Sequence, residues 1–141
     1  CRHPVVYNGD IRTRQDWVTL KKRFPRVTRW MVGRGAVANL FLFGELKRGN
    51  ARDRSAVRLK GFLDDYLAAC AEELYGPAAV LGRMKELWSY LHLSLRQGGG
   101  LWRSVRVCRT LAEYELVTER CFDDFGGFSE EVDSGVGTSE T

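Results

Sequence analysis

The chain has 141 residues, a formal net charge of +4 and 44% hydrophobic side chains, which is room for one ordinary domain, or for a small domain plus a piece of another. That composition excludes a wholly disordered chain, and no apolar run is long enough to cross a bilayer, so no membrane association is expected. The net charge conceals a division of +7 over residues 1–44, +5 over 45–110 and −8 over 111–141, which fits either a polyanion partner for the basic body or a solvated basic surface.

Residues 4–8 read as a short buried strand with Val-Val at its centre. Thr13-Arg-Gln-Asp16 is a capping-box start, and Trp17, Leu20 and Phe24 then recur at helical spacing until Pro25 stops the helix. Residues 28–32 form the next strand, left by a Gly33-Arg34-Gly35 turn. A short helical stretch over residues 36–47 carries Val37, Leu40, Phe41 and Phe43, and Gly49-Asn50 interrupts it. Residues 1–48 therefore make one βαβα unit.

Everything beyond is helical. Leu59, Leu63, Tyr66, Leu67, Cys70 and Leu74 form one apolar stripe across residues 52–75, ended by Gly76-Pro77. Leu81, Met84, Trp88, Leu91 and Leu95 form a second, closed by Gly98-Gly99-Gly100. Leu101, Val105, Cys108 and Ala112 form a third that continues to about residue 122. Three amphipathic helices with short breaks predict an antiparallel helical bundle. Residues 126–141 are Gly, Ser, Thr and acid with little bulk, so a disordered acidic tail is expected. The fold class expected is α/β followed by all-α.

Both strands end in a glycine-bearing loop that leads into a helix. Gly9 lets the backbone approach a ligand closely, Asn8 adds an amide, and Gly33-Arg34-Gly35 adds a guanidinium whose planar donors suit phosphate oxygens. Two such loops side by side would make a phosphate cup, as after late strands of a barrel. A structural turn explains either loop taken alone. Asp10 would repel a phosphate and is expected to cap the following helix or to meet a sugar hydroxyl.

Cationic side chains recur on the helices: Arg103, Arg106 and Arg109 at three-residue steps, Arg96 before them, and Arg83 with Lys85 one helix earlier. Such a surface suits a nucleic-acid backbone, or is a solvated helix face. Trp88 lies in the apolar stripe and is expected in the core. Lys85 and Tyr90, off that stripe, are the better contact candidates, and His92 reads as a boundary residue. The cysteines Cys1, Cys70, Cys108 and Cys121 show no metal spacing, and with His3 and His92 they assemble no zinc site. Cys70 and Cys108 on apolar faces suggest buried thiols in a reducing compartment.

Pro4-Val-Val-Tyr-Asn-Gly-Asp-Ile11, followed one helix later by Met31-Val-Gly-Arg-Gly-Ala-Val-Ala-Asn39, resembles the flavin-binding end of tRNA-dihydrouridine synthases. Arg83-Met-Lys-Glu-Leu-Trp-Ser-Tyr-Leu91 is similar to the Arg/Lys-rich helix of that family's C-terminal domain, and the resemblance spans residues 1–122. It implies that residues 1–48 are the last two βα units of a TIM (β/α)8 barrel that binds FMN, and that residues 49–125 are a helical tRNA-binding domain. By the same resemblance, Asn8, Gly9, Asp10, Gly33 and Arg34 contact the FMN phosphate and ribityl chain, while Lys85, Tyr90, Arg96, Arg103, Arg106 and Arg109 face tRNA. The family's reaction uses NADPH to reduce the flavin, hydride transfer to uracil C6 and a proton from a loop cysteine. None of the four cysteines here sits in such a loop, so the chain resembles a fragment of a cytoplasmic enzyme, monomeric at full length, that lacks its catalytic acid. One departure from the family is Leu40 after Asn39 where proline is frequent, which predicts continuous helix there. A stand-alone RNA-binding helical module and a sugar-phosphate enzyme of another barrel family are the competing expectations.

Overall fold

The computed structural model describes residues 3–49 and 54–129. Strand β1 (Val6–Asn8) runs parallel to β2 (Arg29–Met31), pairing Val6 with Arg29, Tyr7 with Trp30 and Asn8 with Met31. Helix α1 (Arg14–Arg23) joins them, and α2 (Arg34–Ala38) and α3 (Leu42–Arg48) follow. The start of α1 is the expected capping box: Thr13 Oγ1 accepts from the Asp16 N–H at 3.1 Å, and Asp16 Oδ2 accepts from the N–H groups of Thr13 and Arg12.

The strands are not buried as expected. Tyr7 packs on Phe24 and Trp30, with ring centroids 5.6 and 5.1 Å apart, which fixes the face that α1 covers. Strand alternation sends Val6, Asn8, Arg29 and Met31 to the opposite face. No described element covers that face, so Val6 and Met31 are half exposed. The buried strand expected over residues 4–8 is therefore not found: on each strand only the central ring, Tyr7 or Trp30, is half buried.

The stretch expected as one helix over residues 36–47 is two. Asn39 adopts an extended backbone, its Oδ1 accepts from the Phe41 N–H at 3.1 Å, and its Nδ2 donates to Glu45 at 2.9 Å. That side chain replaces helical backbone bonds locally and breaks the helix without a proline. The fully buried residue of α3 is Leu42, while Phe43 stays half exposed.

Four helices form the second part: α4 (Ala56–Glu73), α5 (Pro77–Leu91), α6 (Gly98–Val107) and α7 (Leu111–Asp123), with a 3-10 turn at His92–Ser94. Helix α5 is the centre, packing on α2, α4, α6 and α7. Its stripe behaves as the spacing predicts: Leu81, Met84, Trp88 and Leu91 are buried, together with Leu95 beyond the helix. Burying each such side chain stabilises the fold by about 1.5–3 kcal/mol relative to exposure. Leu59, Leu63 and Cys70 of α4 meet them, as do Val105, Cys108 and Tyr114.

Two boundaries differ from expectation. Gly98-Gly99-Gly100 opens α6 rather than closing the preceding helix. A Cβ on Gly98 would lie 1.8 Å from the His92 carbonyl oxygen, so the glycine lets that backbone crossing form. The third stripe splits at residues 108–110, because Thr110 Oγ1 caps α7 by accepting from the Glu113 N–H while Glu113 Oε2 accepts from the Arg109 N–H. Ala112, expected inward, is exposed as a result.

Residues 126–129, expected to begin the tail, instead pair with the 3-10 turn. Leu95 bridges Phe128, the Ser129 N–H donates to the Ser94 carbonyl at 2.8 Å, and the Phe128 ring meets Phe41 and Phe125. The remainder of that expected tail, residues 130–141, lies outside the described residues.

Candidate functional site

Because β1 and β2 are parallel neighbours, their C-terminal ends deliver the loops at residues 8–10 and 33–35 to the same end of the sheet. Arg34 Nη2 donates to Asp10 Oδ1 at 2.8 Å, which joins the two loops directly. The helix-capping role considered for Asp10 falls to Thr13, which caps α1, while the Asp10 carboxylate accepts from the guanidinium. Both side chains are more than half exposed, so the pair contributes little to stability, on the order of 0–1 kcal/mol. What it does is orient the guanidinium across the loop pair.

The glycines divide by task. A Cβ on Gly35 would sit 1.8 Å from the Ile11 carbonyl oxygen, so Gly35 is what allows α2 to press against the first loop. A Cβ on Gly9 would meet the Tyr7 ring at 2.8 Å. At Gly33 a Cβ would meet nothing within 4 Å, so open space adjoins the second loop. Asn8 is exposed at the strand end, available to a ligand. The structure thus brings together Asn8, Gly9, Asp10, Gly33 and Arg34. A guanidinium beside glycine-lined loops suits a phosphate group, with the Asp10 charge opposing part of the attraction.

The six residues expected to face RNA are not equivalent. Lys85 is half buried, and its Nζ donates to the Cys108 carbonyl at 2.6 Å, tying α5 to the end of α6. Cys108 is the C-cap of α6, so this bond satisfies a carbonyl at the end of the helix, where helical partners run out. Tyr90 is half buried on α5. Arg103 and Arg106 are exposed on α6, and Arg109 is exposed in the turn after it. The Arg96 N–H donates to the Gly127 carbonyl at 3.1 Å, and Arg96 lines a cleft of about 650 Å³ with Leu101, Val117, Arg120, Cys121 and Phe125.

Trp88 is in the core, where its Nε1–H donates to the Tyr114 hydroxyl at 3.0 Å. Burial pushes the Tyr114 pKa up to about 12, opposed by that indole hydrogen bond. His92 donates from Nδ1 to the Trp88 carbonyl and stacks on Trp102, which makes it the satisfied boundary residue expected. Cys70 and Cys108 are buried as predicted, and burial pushes the Cys108 and Cys121 thiols up, so neither is an activated thiolate.

Sequence reasoning missed a polar cluster at the junction of the two parts. Buried Glu45 accepts from Asn39 and, at 2.7 Å, from Arg54 Nε, while Arg54 Nη1 donates to the Ser129 carbonyl. Four sequentially scattered residues carry no local pattern, although Asn39 two residues before Phe41 was an available turn signal. No family model matches this chain, and no curated protein matches it in sequence.

Proposed function

We propose that this chain is the C-terminal part of a tRNA-dihydrouridine synthase: the last two βα units of an FMN-binding barrel followed by a helical domain that contacts tRNA. The observation that carries the proposal is the pair of adjacent parallel strands whose loops meet through Arg34 and Asp10. A barrel's inner wall is the strand face turned away from its helices, and here that face is uncovered, with Val6 and Met31 half exposed. Asn8, Gly9, Gly33 and Arg34 would hold the phosphate and ribityl end of FMN, and Asp10 would set the guanidinium. FMN held there would supply the hydride for uridine once reduced by NADPH, and the protein would bind and orient the two.

The test is a titration of the isotopically labelled chain with FMN or riboflavin, following backbone amide resonances. FMN is expected to shift Gly9, Asp10, Arg34 and Gly35, with riboflavin, which lacks the phosphate, leaving them in place. Asp10→Asn removes the opposing charge and is expected to tighten FMN binding several-fold, whereas Arg34→Ala abolishes it. Equal shifts with both ligands, or none with either, would overturn the phosphate cup.

A further inference from the structure

A group of cations without acids among them lies at the end of the sheet opposite the loop pair. Between Trp17 and Gly44 the sequence holds six Lys or Arg and no acid. Four of them, Lys21, Lys22, Arg23 and Arg26, fall in the last turn of α1 and the turn into β2, and all four are exposed; a fifth, Arg29, opens β2 on the opposite face of the sheet. None is in an ion pair among the described residues. The two acids nearest in sequence are occupied, Asp16 by the N–H groups at the start of α1 and Asp10 by Arg34. Attraction to the helix C-terminus accounts for cations within the last turn of α1, but not for Arg26. The rings of Trp17 and Phe24 lie under Lys21 and Arg23, at 4.4 and 5.3 Å, and hold those two charges at the surface.

The arginines of α6 stand in a different field. Helix α7 packs against α6, and its Glu113 Oε2 accepts from the Arg109 N–H at 2.7 Å, so a polyanion approaching the end of that arginine row also meets a carboxylate. The end of α1 has no such opposition in its own sequence.

We propose that the C-terminal end of α1 and the turn into β2 form the principal phosphate-backbone contact for RNA, an inference that rests on the RNA-binding part of the function proposed above. The chemistry recognised is closely spaced phosphates on a structured RNA, to which four uncompensated cations are complementary. A lipid surface fits less well, since an interfacial helix needs a free apolar face, and Trp17, Leu20 and Phe24 are already half buried. The ten residues of α1 span about 15 Å, so an RNA arm longer than that could meet this cluster while a nucleotide reaches the loop end.

The experiment compares the full chain with a variant carrying Lys21→Ala, Lys22→Ala and Arg26→Ala, and with an Arg103→Ala, Arg106→Ala variant, using unmodified tRNA transcript across a salt series. Circular dichroism confirms that each is folded, and a Lys22→Gln, Arg26→Gln variant substitutes if the threefold one is not. The α1 variant is expected to lose at least tenfold in affinity, and its salt slope to fall by about 2. The α6 variant is expected to lose less. If the unaltered chain binds tRNA and the α1 variant binds as well with the same slope, this inference is overturned and the RNA reading stands. No tRNA binding by the unaltered chain overturns both, as does α1-dependent binding to phosphatidylserine vesicles without binding to tRNA.

Discussion

Gly35→Ala adds one methyl group at the point where α2 meets the first loop. The new Cβ would lie 1.8 Å from the Ile11 carbonyl oxygen and 2.9 Å from its carbon, both backbone atoms that no side-chain rotation can move away. Restoring ordinary contact requires α2 to shift by more than an ångström. Ile11 is 1% exposed and Ala38, on the same short helix, is buried, so that shift disturbs packed surface. Overpacking of this kind costs about 1–3 kcal/mol, and a backbone obstacle places Gly35 at the upper end. Alanine recovers roughly 0.5–1 kcal/mol of helix propensity, which leaves a net loss of about 2 kcal/mol. For a chain of this size that lowers Tm by about 6–8 °C. Thermal melting followed by far-UV circular dichroism reads it, with Gly61→Ala as the matched control. Gly61 lies in α4 with no atom within 4 Å of its Cβ position, so the same chemical change should raise stability there by about 0.5–1 kcal/mol. A Gly35→Ala protein that melts at or above the parent temperature would refute the close approach of α2 to the loop.

Tyr114→Phe leaves the Trp88 indole N–H buried without its acceptor and should cost about 1–3 kcal/mol in a denaturant melt. The same phenol makes the parent alkali-sensitive. Its folded pKa of about 12 lies above the unfolded value of 10, so the unfolded state loses its proton first and stability falls as pH rises from 10 to 12, by up to about 3 kcal/mol. Tyr114→Phe should flatten that fall, and an equally steep decline in the variant would show that another group governs it. Glu45→Ala removes the carboxylate that joins Asn39 to Arg54 and should cost about 3–5 kcal/mol, read by chemical denaturation; a loss under about 1 kcal/mol would mean that water replaces it. In hydrogen exchange, amides of Tyr7, Asn8 and Trp30 should exchange by local opening, well before those of Met84, Trp88 and Leu91 in the buried helix. Uniformly strong protection across residues 4–32 would contradict the exposed sheet.

Periodicity was legible where one face of a long element is buried. The Leu81–Leu95 stripe and the Leu59, Leu63, Cys70 stripe went to the core because 3.6-residue spacing leaves few other solutions. The Thr13 box was legible because both of its bonds are local. Tertiary partners decided the rest. Nothing in the run Pro4–Asn8 tells one-sided from two-sided burial, since that depends on what covers the second face. Lys85 looked like a free cation because the Cys108 carbonyl that holds it is 23 residues away. The glycines at residues 98–100 carry the usual signal of a helix end, but Gly98 serves a backbone crossing with His92 at the start of the next helix. The break at Cys108–Thr110 was present in the sequence as a threonine three residues before Glu113, overshadowed by the apolar stripe that runs through it. In the loop pair the sequence marked residues that lie together in the structure, while the Asp10–Arg34 contact depends on two strands being neighbours.

The central claim, that these loops close an FMN-binding barrel, is tested most directly by reading the transcript upstream of Cys1. The account predicts an open frame running back through about six more βα units, one of them with a cysteine-bearing loop to supply the proton for uridine reduction. A start codon immediately before Cys1 would contradict it, and would leave an RNA-binding helical module as the account to pursue.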